Sequence, residues 1–260
     1  MNLTDDDILK FQKGTPIFLD DICAIYPATV GEIIDEGYSK FQQYLSIILA
    51  DKPAVNKEQE QELQDLLTNL TDFQYILMTV MADMQANQTF RNAFRFFTHE
   101  SKITVLLNPA QIVVGNVVDN HVIDERKFYE FRSIIKHMYF IDVDGEDIII
   151  TDEDDEVTRA IKMRMRENRE KLRRAKEKKA RQEKSDLKFS DLIGSMPFRE
   201  CNLNMENIWN ITYYSFYDQL KRSGWHEQFE INNRAALAGA KLKKSQLKHW
   251  MRSIASSDKS

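Results

Sequence analysis

Cysteine is scarce in this chain: Cys23 and Cys201 are the only two in 260 residues, far apart in sequence. Neither has CxxC spacing, so no zinc site or redox pair is suggested and two reduced thiols are expected. Eight Gly and five Pro are few for this length, which argues against many tight turns and for a helix-rich chain. No apolar run approaches the ~20 residues that cross a bilayer. The start, Met1 to Asp7, is acidic and lacks the apolar stretch of a signal peptide. A soluble protein that stays where it is made, with no membrane partner, is the expectation.

Motifs of chemistry are missing too. His99, His121, His137, His226 and His249 do not stand in HExxH or another ligand spacing. There is no GxSxG, no P-loop and no Gly-x-Gly. Asp142 to Asp147 superficially suggests a calcium loop, but Gly145 comes two positions too early for an EF-hand turn. The expectation is a protein without catalytic residues, metal or cofactor.

What is present is charge, unevenly distributed. Asp142 to Glu156 holds nine acids and no base, and Arg159 to Lys184 holds thirteen Lys/Arg against four Glu. The basic run is therefore about +9 in a chain whose net charge is −5. Acids at a helix start and bases in its later turns suit the helix dipole, so part of the contrast is helix electrostatics. Ile161, Met165, Leu172 and Ala175 trace a thin apolar seam, with Asn168 and Lys179 between, too little to bury the helix. A basic run can also neutralise phosphates, through Arg164, Arg166, Arg173 and Arg174. Against nucleic acid stand the acidic lead-in and the absence of interleaved aromatics for base stacking.

The rest of the chain reads mainly α, with some β (α+β). Thr15 to Ile25 reads as extended. Thr29-Val30-Gly31-Glu32 is a capping-box pattern, and Ile33, Ile34, Tyr38, Phe41, Leu45, Ile48 and Leu49 predict a helix to about Ala50. A second helical region is predicted from about Asn56 through Leu63, Leu66, Leu67, Leu70, Phe73, Leu77, Val80, Met81 and Met84, with Thr71-Asp72 as an interruption. Thr89 reads as the N-cap of a short helix carrying Phe90, Phe94 and Phe97. Ile103–Leu107, Gln111–Val114 and Val117-Val118 are β-branched, punctuated by Asn108-Pro109 and Gly115-Asn116, and predict a small antiparallel region. Asp124 is a candidate cap for a helix with Phe128, Phe131, Ile134, Ile135 and Met138. Tyr139–Ile141 and Ile148–Ile150 flank Asp144-Gly145, a hairpin signal.

Downstream of the charged runs, Phe189, Leu192 and Ile193 form one short amphipathic set. Asn204 reads as the cap of a helix carrying Ile208, Trp209, Tyr213, Phe216, Tyr217 and Leu220, with Gly224 as its stop. Trp225 to Leu237 and Leu242 to Ile254 read as further helices. The predicted layout is a helical N-terminal domain with a small β-region (1–152), a charged linker helix (153–186) and a helical, aromatic-rich C-terminal domain (187–260). The face Trp209, Tyr213, Tyr214, Phe216, Tyr217 and Leu220 has two readings, core packing or a partner surface. Tyr213 and Tyr214 are adjacent and point different ways on a helix, which leaves room for the second.

The stretches Asp191-Leu192-Ile193, Asn207 to Arg222, Ala236 to Ala240 and Leu247 to Met251 resemble a family of tailed-bacteriophage proteins, the tail assembly chaperones. The resemblance is loose over 15–150 and tighter over 186–254. It implies a protein of the host cytoplasm that binds without chemistry. Its partners would be a tape-measure protein and tail-tube subunits, held during virion assembly. Two alternatives stay open: a nucleic-acid-binding phage protein using the basic helix, and a structural tail or baseplate component retained in the virion. An oligomer is compatible with all three.

Overall fold

A computed structural model describes residues 4–53, 70–115, 121–141, 155, 157–165, 168, 188–199, 202–242 and 249–251. Helix dominates, with two small antiparallel sheets, so the chain is mainly α (α+β).

The chain begins with a helix that the sequence pattern understated. α1 (Asp5–Lys13) is opened by a capping box in which the Thr4 hydroxyl accepts from the Asp7 amide and the Asp7 carboxylate accepts from the Thr4 amide. Gly14, at φ 80, closes it in the left-handed conformation. The extended segment then resolves into a hairpin, β1 (Ile17–Leu19) against β2 (Cys23–Ile25), whose end residues alternate inward.

The helix predicted from Thr29 to Ala50 is two helices. The Thr29–Glu32 capping box starts α2 (Val30–Glu36), and Gly37, at φ 98, turns the chain into α3 (Tyr38–Ile48). Thr71 is the start of α4 (Asp72–Ala82), again through a capping box, with Gln74. The predicted stretch from Asn56 to Asn69 lies outside the described residues. α5 (Met84–Thr98) is longer than expected. Its cap is Asp83, whose carboxylate accepts from the Gln85 and Ala86 amides, while the Thr89 hydroxyl donates back to the Gln85 carbonyl inside the helix.

β3 (Ile103–Leu107) and β4 (Ala110–Val114) pair around Asn108-Pro109, a cis peptide. The third strand is β5 (Val122–Ile123), beside β4; Val117-Val118 lie outside the described residues. Asp124 caps α6 (Glu125–Met138) as predicted. Tyr139 and Phe140 finish that helix in a turn with Phe140 at φ 55, so they form no strand. The Asp144-Gly145 signal lies outside the described residues.

Asp155 caps a helical stretch over 157–165, its carboxylate accepting from the Thr158 amide at 2.7 Å. α7 (Phe189–Arg199), a 3-10 turn (Ile208–Asn210) and α8 (Tyr213–Leu237) follow. Asn204 caps only the short turn before the 3-10 element, accepting from the Glu206 and Asn207 amides. The chain then extends at Ile211 and Thr212, and Thr212 caps α8. Gly224 stops nothing: α8 runs through it and through Trp225 as one 25-residue helix. Of the predicted last helix, His249, Trp250 and Met251 are not helical.

The separation into domains is where the structure departs furthest from expectation. Phe189, Ile193, Met196, Leu203, Ile208, Tyr213, Tyr214 and Phe216 belong to the same buried cluster as Phe11, Ile25, Phe41, Phe97 and Phe131. Residues 188–220 therefore complete the N-terminal core and do not build their own. Each such side chain, taken out of water, stabilises the joint fold by ~1.5–3 kcal/mol, which a separate placement would forfeit.

Candidate partner-binding surface

The sequence offered two candidate binding regions, the aromatic face of the C-terminal segment and the basic run. The structure treats them differently.

The aromatic face is held down by a backbone clasp. The Val30 amide donates to the Ile211 carbonyl and the Tyr213 amide to the Ala28 carbonyl, both at 2.9 Å, around the paired Thr29 and Thr212. Each of these two threonines caps its own helix, so the N-termini of α2 and α8 meet at the clasp. Gly31 makes the approach close enough, since a Cβ there would stand 2.9 Å from the Trp209 carbonyl oxygen. On the other side, the Ser215 hydroxyl donates to the Gln12 carbonyl at 2.9 Å, tying α8 to α1.

Thus fixed, Tyr213, Tyr214 and Phe216 are buried. Tyr213 lies 5.3 Å from Tyr139 and 5.7 Å from Phe41, ring to ring; Tyr214 stacks on Phe140 at 4.5 Å and packs beside Phe11 at 5.5 Å. Phe216 meets Phe189 edge-on at 5.7 Å. Tyr217 and Leu220 are half-buried against the same cluster. Trp209 is half-buried as well, its indole N–H donating to the Met205 carbonyl at 2.6 Å. Burial pushes the Tyr213 hydroxyl pKa far up, and burial then the Asp218 carboxylate push that of Tyr214 up to about 12. Asp218 itself is buried and held by Arg222, whose Nε reaches both carboxylate oxygens at 3.0 Å. The six residues considered as a partner surface are thus, in this conformation, internal packing, with Trp209, Tyr217 and Leu220 at its margin. Neighbouring aromatics on α1, α3, α7 and the turn after α6 made burial on several sides available, and that could not be read from α8 alone.

Of the basic run, residues 159–165 and 168 are described, on a helix that starts at Val157. Arg164 is exposed there; Arg166, Arg173 and Arg174 lie outside the described residues. This helix presents an apolar side to water: Val157, Ile161 and Met165 are 67%, 55% and 53% exposed. Of the seam read in the sequence, Ile161 and Met165 stand one turn apart on this helix and are exposed; Leu172 and Ala175 lie outside the described residues.

Of the residues that flank the charged runs, Phe140 stacks on Tyr214 and Phe189 lies with its ring 6.0 Å from that of Tyr213, so both flanks sit on one aromatic cluster.

Elsewhere, a cleft of about 310 Å³ is lined by Ala28, Glu32, Asp35, Glu36, Phe96 and His99. Two of its carboxylates have structural work: Glu32 closes the Thr29 capping box, and Glu36 accepts from the Tyr44 hydroxyl at 2.6 Å. Among the described residues no group of three or more His, Cys, Asp or Glu is placed to hold a metal ion, and no helix is long and apolar enough to cross a membrane. Other large apolar side chains are exposed too, among them Met78, Met81 and Met84 at three-residue spacing, and Phe198 and Leu237.

No curated protein and no solved structure matches this chain significantly. Residues 177–255, from the end of the basic run through α7 and α8, match the model of a phage-associated family described as the YomV second domain, and the match supports a phage protein.

Proposed function

We propose that this protein is a non-enzymatic phage tail assembly chaperone, binding tape-measure or tail-tube subunits in the host cytoplasm during virion assembly. The observation that carries the reading is that, beside a core shared by the N-terminal part and residues 188–220, a helix over 157–165 turns Val157, Ile161 and Met165 to water. A carrier needs uncovered apolar side chains that charge keeps in solution, and this helix has both. The phage-associated family over 177–255 supports a phage protein, and the resemblance over 186–254 is what points to the tail assembly chaperones.

Co-expression of the full chain with the tape-measure and tail-tube proteins of the same phage tests it. Co-purification of either is the expected result, and purification of the chain without both overturns it. Finding the chain in purified particles would assign it instead to the finished tail.

A further inference from the structure

We draw no further inference here: the strongest candidate, the exposed apolar face of Val157, Ile161 and Met165 on the helix over 157–165, carries nothing, because nothing in the structure shows what covers it.

Discussion

Single residues decide how the two ends of this chain meet. Gly31 sits under the Trp209 carbonyl, where a Cβ would come within 2.9 Å of a backbone oxygen that cannot swing away. Gly31→Ala should cost ~1–3 kcal/mol, read as a lower urea midpoint, through a strained clasp and despite alanine's better helix propensity. Burial also leaves a mark on pH dependence. The Cys23 thiol is pushed from its ordinary 9.0 up to about 12, by burial first and then by Glu100. Burial likewise raises Tyr44, Tyr139 and Tyr213 above 10.0, and Tyr214 up to about 12. Each group is neutral in the fold at pH values where the unfolded chain would ionise it. Their contribution is thus fully present below pH 9 and is lost as pH rises from about 9 toward 12. Thermal melts should show a steady fall in midpoint over that alkaline window, and Cys23 should resist thiol reagents in the native protein. Arg132 is a residue that sequence reading passed over. It is buried, with its guanidinium donating to the Leu49 carbonyl and the Asp51 carboxylate, and nothing in its local pattern separates it from a solvated helix base.

Of the predicted helix caps, Thr29 and Asp124 stand and Thr89 and Asn204 do not. The capping box at Thr29 and the cap at Asp124 are local chemistry, a side chain and an amide three residues apart, and both stand where the pattern put them. Gly224 and Asn204 mislead because each has two uses. Glycine ends a helix only when the chain has cause to turn, and α8 has none. Gly224→Ala should therefore stabilise the protein by ~0.5–1 kcal/mol, since a Cβ there meets nothing within 4 Å. A destabilised variant would restore Gly224 as a functional break. Thr212→Ala removes the hydroxyl that accepts from the Ser215 amide at 3.0 Å, and should cost ~1 kcal/mol by denaturant titration.

At the scale of the molecule, the charged segment changes meaning. A linker between domains would leave each side able to fold alone. Here residues 188–220 fill the core that the N-terminal part surrounds. A chain ending at 187 should then lose its cooperative transition and expose aromatic surface to a hydrophobic dye. Replacing 142–187 by a flexible linker of about ten Gly/Ser residues should keep a cooperative melt, because both ends start from one cluster.

The helical class and the β-branched pairing of β3 with β4 follow from the sequence alone, because each rests on neighbours within a few positions. The fate of the aromatic face does not. Whether Tyr213, Tyr214 and Phe216 meet a partner or their own chain depends on Phe11, Phe41, Tyr139 and Phe189, which are 24 to more than 200 positions away. No periodicity spans such a gap. Only the tertiary structure, by closing the clasp at Thr29 and Thr212, turned Tyr213, Tyr214 and Phe216 into core while Val157, Ile161 and Met165 stay exposed.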